Sequence, residues 1–276
     1  MTAFTVVSFH AHPDDEALLT AGTLARAASE GHRVVLVCAT HGESGLVASG
    51  LLGGASLAQV RAAELQRSAQ AIGAARVEFL GYADSGMDGM ATPSGWGTPF
   101  ARADVEDAGQ RLAAVLREEE ADAVTIYDPA GGYGHPDHVQ VHRVGTRAAA
   151  IAGTPVVLEA TADRDLLRRA LRVARWIRRI PTGSLPSGID DGYTPRAGLT
   201  HRVDVSGYLD RKRAAMAAHV TQSSAPDRTL AAFLRWPGPI YRRAFRHEWF
   251  VEQGRAPASP LLDDIFATLR TGAAAR

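Results

Sequence analysis

The chain reads as an α/β protein with an open, mostly parallel, Rossmann-like sheet flanked by helices, carrying a C-terminal elaboration. Three observations predict it. Short β-branched runs alternate with longer segments of helical periodicity. The strand runs are continuously apolar rather than alternating, which is the pattern of strands covered on both faces. Their β-α-β-α order calls for parallel pairing through right-handed crossovers, with helices on both sides of the sheet.

The elements follow in order. Residues 4–9 (FTVVSF) form the first strand, and 16–30 a helix with Leu18, Leu24 and Ala27 at helical spacing and Gly31 as its C-terminal stop. Residues 33–38 (RVVLVC) are the second strand. A Gly/Ser-rich loop runs to about 56 and a helix covers 57–72. The third strand is 76–80, and a Gly/Pro/Ser-rich loop spans 81–102. A helix at 103–119 leads to the fourth strand, 122–127, then come a helix at 137–151 and the fifth strand, 155–158. Beyond these lie an Arg-rich helix at 163–179 with a solvated basic face, a Pro/Gly-rich stretch at 181–198, and late strands at 201–205 and 248–252 around a helix at 207–219. The tail 271–276 frays. No repeat or linker interrupts the chain. It is read as one domain, 1–276, with a core at 1–160 and a portion at 161–276 that shapes the substrate pocket.

Composition limits the function classes. Of 276 residues, 46% are apolar and 22% charged, ordinary for a soluble protein with a sizeable core. Lys plus Arg and Asp plus Glu number 30 each, so no global charge favours nucleic acid or an anionic membrane. Lys212 is the only lysine and Cys38 the only cysteine, so no intrachain disulfide forms. The N-terminus lacks a basic region, and its apolar run breaks at His10. These features predict a cytoplasmic protein without nucleic-acid or membrane partner; assembly into a homo-oligomer is left open.

Two tetrads carry the chemistry. His12-Pro13-Asp14-Asp15, followed by Glu16, comes after the first strand. His135-Pro136-Asp137-His138, preceded by Gly131-Gly132-Tyr133-Gly134, comes after the fourth. In a sheet ordered 3-2-1-4-5 the direction reverses between strands 1 and 4, and ligands bind there beyond the carboxyl ends. The tetrads are therefore expected to meet in one crevice. The first turn, HAHPDDEA, has no G-x-G-x-x-G, which argues against a dinucleotide. Two imidazoles and one carboxylate with an open position make a catalytic zinc site. His12, His135, His138 and His142 with Asp14, Asp15 and Asp137 exceed the need of one ion, and hydrolysis also requires a base, an acid and an oxyanion donor. Composition does not divide these roles.

The pair AHPDDE and GGYGHPDH resembles the LmbE-like (PIG-L-type) zinc N-deacetylases, Rossmann-like enzymes that remove acetyl groups from N-acetylglucosamine-type amino sugars. Among them it is similar to the actinobacterial mycothiol enzymes, the N-acetylglucosaminyl-inositol deacetylase and the mycothiol S-conjugate amidase. The likeness runs over about 5–150 and returns weakly at 212–222 and 247–254. It implies one Zn2+ per chain, with Fe2+ the other candidate, held by His12, Asp15 and His138. It implies Asp14 as general base, His135 paired with Asp137 as oxyanion stabiliser and acid, and Tyr133 on the acetyl carbonyl. Arg61, Asp84 and Glu43 are implied to hold sugar hydroxyls or the leaving portion of the substrate, a small-molecule N-acetylated amino sugar or glycoconjugate; Met87 and Trp96 are candidate pocket walls by their place in the 81–102 loop. The segment 163–198 has no counterpart placed in the mycothiol enzymes, which leaves the acyl substrate open. The alternatives are an S-conjugate-type amidase, a non-haem iron oxygenase using the same two-His, one-carboxylate set, and a non-catalytic sugar-binding module, which the full set of ligands and base disfavours.

Overall fold

The structure is a computed structural model that describes residues 2–45, 52–89, 97–177, 192–224, 229–257 and 259–274. Its strands are β1 (Thr5–His10), β2 (Arg33–Thr40), β3 (Arg76–Tyr82), β4 (Ala123–Tyr127), β5 (Val156–Thr161), β6 (His201–Asp204) and β7 (His247–Glu252). They form one sheet in the order β3-β2-β1-β4-β5-β7-β6. The first five pair in parallel, and β7 runs antiparallel to both β5 and β6. Sheet order therefore reverses between β1 and β4, which pair Val6 with Ala123 and Ser8 with Thr125. A buried polar chain crosses this seam. Ser8 Oγ lies 2.6 Å from Thr125 Oγ1 and 2.7 Å from His10 Nε2, while His10 Nδ1 lies 2.9 Å from the Tyr127 hydroxyl.

The helices are α1 (Asp15–Leu19), α2 (Ala21–Ser29), α3 (Leu57–Ile72), α4 (Val105–Glu118), α5 (the turn Gly131–Gly134), α6 (Pro136–Ala152), α7 (Arg164–Ile177), α8 (Leu209–Ala218), α9 (Val220–Ser223), α10 (Thr229–Leu234), α11 (Gly238–Phe245) and α12 (Ala267–Ala274). Strand alternation sends Val6, Val34 and Leu36 to one face, against Leu24 of α2, Leu65 and Ile72 of α3 and Met216 of α8. Val7, Phe9, Val35 and Val37 face the other way, against Leu112 and Leu116 of α4 and Val141 and Val144 of α6. Caps fix the ends. Ser56 and Gln59 form a capping box on α3, and Asp104 caps α4.

The helix expected at 16–30 is two helices, broken at Thr20. Periodicity alone does not register the break, because the groups that satisfy it come from far along the chain. Glu248 of β7 accepts from the Gly22 and Thr23 N–H groups at 2.9 and 2.7 Å. Lys212 of α8 donates to Leu18 O and to Glu248. The first turn of α2 and the last turn of α1 thus find their missing partners in a buried ion pair. Helices α10 to α12 were not anticipated from the sequence. The Gly238-Pro239 opening of α11 resembles a turn, yet proline suits the first turn of a helix, where no N–H bond is needed. Residues 271–274, expected to fray, are instead the last turn of α12; part of the 181–198 stretch, Trp96 and residues 275–276 lie outside the described residues.

Candidate active site and metal centre

Both tetrads emerge at the carboxyl ends of β1 and β4 and meet. Ring centroids lie 4.9 Å apart for His12 and His135, 5.0 Å for His135 and His138, and 5.7 Å for His12 and His138. Tyr133 closes the group, 5.1 Å from the His138 ring and 6.2 Å from that of His135.

The turn between β4 and α6 is built to bring Tyr133 and His135 here. Asp128, 2% exposed, accepts from Ala130 N and Gly132 N through Oδ1 and from Thr161 through Oδ2. Gly131 has φ 63°, and a Cβ there would meet Val139 N at 2.6 Å. Only glycine lets this turn lie against the start of α6. His135 then caps α6, its Nδ1 accepting from the Asp137 N–H at 3.1 Å. That bond leaves the neutral ring's proton on Nε2. Burial, with the His12 and His138 rings nearby, pushes the His135 pKa down to about 4.

The Asp137 carboxylate is fully buried and does not serve His135 as expected. Its Oδ2 accepts from His12 Nε2 and Ser85 N, each at 3.0 Å, because the α6 backbone already occupies His135 Nδ1. The other face of His12 looks elsewhere: Nδ1 is 3.4 Å from Asp15 Oδ2. On the far side of that carboxylate, Asp15 Oδ1 is 3.3 Å from His138 Nε2.

Donor atoms of His12, Asp15 and His138 lie within 4.8 Å of one another, as do those of His12, His135 and Asp137. The first set fits an ion better. Among the described residues His138 Nε2 is buried with no hydrogen-bond partner, whereas in the second set His135 Nδ1 and Asp137 Oδ2 are already engaged and only Asp137 Oδ1 is buried and open. A carboxylate on the second nitrogen of a ligating imidazole is the usual arrangement for orienting it, and Asp137 stands there for His12. Electrostatics agree. Burial pulls the His12 pKa down, yet hydrogen bonds with Asp137, Asp15 and Asp84 prevail and hold it well above the ordinary value. Asp15, despite burial, is held well below the carboxylate range by His138 and His12. The pocket calls for positive charge at this point, which a cation held there would supply in place of the proton.

Asp14 occupies a strained backbone position, φ 110° and ψ −25°. Such conformations persist where surrounding contacts hold them. Its N–H donates to Glu16 Oε2 at 3.0 Å, and its Oδ1 accepts from Arg61 at 2.9 Å. Burial lifts the Asp14 pKa to about 6, against the opposing pull of Arg61. Arg61, expected at the sugar, is 4% exposed. Its two terminal nitrogens donate to Asp14, to Pro13 O and to Gly42 O, the last at 2.7 Å, while its Nε is buried with no partner among the described residues. Gly42 is required for this, since a Cβ there would sit 2.2 Å from the guanidinium.

Asp84 is buried. Its carboxylate accepts from Gly86 N and Ser44 N and lies 3.4 Å from His12 Nε2. Glu43 accepts from Asp84 N at 2.7 Å, and its second oxygen is buried without a hydrogen-bond partner among the described residues. Met87 is 68% exposed on the same loop.

Sequence reasoning passed over several groups that build the site: Glu16, Ser85, Asp128, Tyr193 and His219. Glu16 and Asp128 lie beside the motifs, but Ser68 and His219, which hold Glu16, and Thr161, which holds the second oxygen of Asp128, are distant in sequence. Tyr193 packs on Gly132, 3.1 Å from where a Cβ would stand. His219 falls in the weakly similar 212–222 stretch, the one signal that marked it.

A profile of the PIG-L family, described as GlcNAc-PI de-N-acetylase, matches residues 7–149. The chain belongs to the PIG-L family. Among its PIG-L relatives, the 1D-myo-inositol 2-acetamido-2-deoxy-alpha-D-glucopyranoside deacetylase of Thermobifida fusca is 41% identical over 237 residues, covering 77% of this chain and 81% of the relative. A deacetylase of the same name from Catenulispora acidiphila is 35% identical over 295 residues, covering 94% of this chain and 88% of its own. Among solved structures, N,N'-diacetylchitobiose deacetylase from Pyrococcus horikoshii matches with TM-score 0.60 at 22% identity, over 91% of this chain and 84% of that one. The zinc-inhibited form of teicoplanin deacetylase Orf2 matches with TM-score 0.58 at 16% identity, over 91% and 100%. Those two likenesses show the fold. PIG-L proteins are de-N-acetylases, hydrolases of an amide bond, so the oxygenase alternative falls away.

Proposed function

We propose that the chain removes the N-acetyl group from an N-acetylglucosamine-type glycoside, and that the inositol glycoside named for its relatives is the first substrate to try. The observation that carries this reading is the convergence of a two-imidazole, one-carboxylate donor set with a strained, buried Asp14 beside it. His12, Asp15 and His138 would hold one ion, zinc as the first candidate and iron(II) as the second. When bound, the ion would supply Lewis acidity and bring the pKa of water down to about 7.

The side chains divide the rest of the work. Asp14 accepts the proton of the attacking water as the C–O bond forms and returns it to the amine nitrogen as the C–N bond breaks, so that acetate and the free amine leave. Arg61 clamps Oδ1, leaving Oδ2 to receive it, and a carboxyl pKa of about 6 suits a base working near neutrality. His135 directs an Nε2–H at the amide oxygen as negative charge develops. Because its pKa is low, it acts as a neutral donor. Tyr133, beside His138, adds a second donor to that oxygen. Asp137 orients His12. Arg61 acts on Asp14 rather than on the sugar. Glu43, with its unpartnered oxygen, and Asp84 take sugar hydroxyls, and the portion from 161 onward shapes the pocket around them.

Acetate release from N-acetylglucosamine glycosides tests the proposal, measured by mass spectrometry with and without chelator. Release should require metal and should fall by about two to four orders of magnitude in Asp14→Ala while the ion stays bound. Near-normal turnover in Asp14→Ala would overturn the base assignment. Metal-loaded protein that binds such glycosides without turnover would overturn the reaction.

A further inference from the structure

The roles assigned so far rest on the two tetrads, Tyr133, Arg61 of α3 and the loop residues Glu43 and Asp84. One fully buried group beneath them remains unused by the reaction. Glu16 is 0% exposed, as is His219, which lies at the junction of α8 and α9. Glu16 Oε1 lies 2.6 Å from His219 Nε2 and accepts from Ser68 Oγ at 2.5 Å, while Oε2 accepts from the Asp14 N–H. One carboxylate thus joins the Asp14 turn, α3 and the C-terminal third.

The other contacts around this node have the same sense. Arg61, Glu64 and Ser68 share one buried face of α3. Arg61 holds the Asp14 carboxylate and the Pro13 carbonyl. Glu64 accepts from Thr221 N and Thr221 Oγ1 at 2.8 and 2.6 Å, fixing α9 to α3 directly beside His219. Asp14 needs such support because its φ of 110° is unfavourable for any residue with a Cβ. Its side chain is held by Arg61 and its backbone N–H by Glu16. Neither Glu16 nor His219 belongs to either donor set.

We propose that His219 and Glu16 form a positioning pair that locks the Asp14 turn, so that the C-terminal third sets the aim of the base. The pair rests on the reading of Asp14 as base. It accounts for a histidine buried far from the motifs and for the path by which 209–223 reaches the reaction. Its effect is orientation, and misplacement of a reacting group by about 1 Å can cost ~100-fold in rate.

The test combines His219→Leu, His219→Gln and Asp14→Ala in a cycle, with kcat, KM, metal per chain and thermal unfolding read for each. His219→Leu removes the donor, whereas Gln places an N–H near the position of Nε2. Expected for His219→Leu are a kcat loss of about 10- to 100-fold, KM within about twofold and unchanged metal content; His219→Gln should recover most of the loss. In the Asp14→Ala background, His219→Leu should cost no further activity, because the group it positions is gone. Should His219→Leu not fold, Ser68→Ala strips a neutral donor from the same carboxylate and carries the same comparison with a smaller loss. Equal losses in both backgrounds, or a loss confined to KM, overturn the positioning role and leave the base reading intact. Near-normal turnover in Asp14→Ala alone overturns both.

Discussion

Replacing Lys212 by methionine tests whether the break between α1 and α2 is held by a buried charge pair. Lys212 is 1% exposed and its ammonium serves two acceptors, Leu18 O and Glu248 Oε1. Glu248, 3% exposed, keeps its bonds to the Gly22 and Thr23 N–H groups but loses its counter-charge. Removing one partner of a buried pair typically costs about 3–5 kcal/mol, because the other charge stays uncompensated. For a chain of this size each kcal/mol lowers Tm by roughly 2–4 °C, so a fall of roughly 6–20 °C is expected. The double variant Lys212→Met/Glu248→Gln removes the stranded charge. It still leaves one α2 donor short of an acceptor, at about 1–3 kcal/mol. It should therefore be more stable than the sum of the single variants, by at least about 1 kcal/mol in the coupling. Urea and thermal unfolding of the wild type, both singles and the double give the cycle. Additive losses, or a Lys212→Met cost below about 1 kcal/mol, would refute the account of the helix break.

Three further outcomes follow from the geometry. His138→Ala should lower metal content per chain and activity together while leaving the fold, as metal analysis and circular dichroism would show; full metal retention would favour the set containing His135 and Asp137. Gly42→Ala pushes a methyl into the Arg61 guanidinium at a backbone φ of 69°, and should lower kcat about 10- to 100-fold through Asp14 with metal content unchanged. His201 is fully buried, and burial, aided by Arg255 against Asp264, lowers its pKa from 6.5 to about 4. The unfolded chain takes up this proton first, so the contribution is whole above pH 6.5 and is lost as pH falls toward 4. The loss is about 3 kcal/mol at most, and unfolding of His201→Gln should show a flatter pH dependence there.

Local pattern made much of this protein legible. The strand runs, the 57–72 helix and the sheet order around β1 and β4 follow from apolar periodicity and crossover handedness, both properties of short stretches of chain. The meeting of the tetrads also follows, since a fixed strand order fixes which loops are neighbours. Periodicity failed where distant groups intervene. The 16–30 helix is divided at Thr20 because Lys212 and Glu248 satisfy its interrupted turns. The short α10 to α12 carry too few turns to stand out from loop.

At the site, residue types alone showed that groups able to hold an ion, to accept a proton and to donate to an oxyanion are present, because two imidazole-carboxylate tetrads offer little else. Which nitrogen and which oxygen face which partner was decided only by tertiary structure. Asp137 turned to His12 because the α6 N-terminus had already claimed His135 Nδ1. Arg61 went beneath Asp14 because Gly42 leaves room for its guanidinium there. Glu16 found His219 far along the chain because α8 and α9 pack on α3. Hydrogen-bond direction is a property of three-dimensional neighbours, and a sequence names the groups without naming their neighbours.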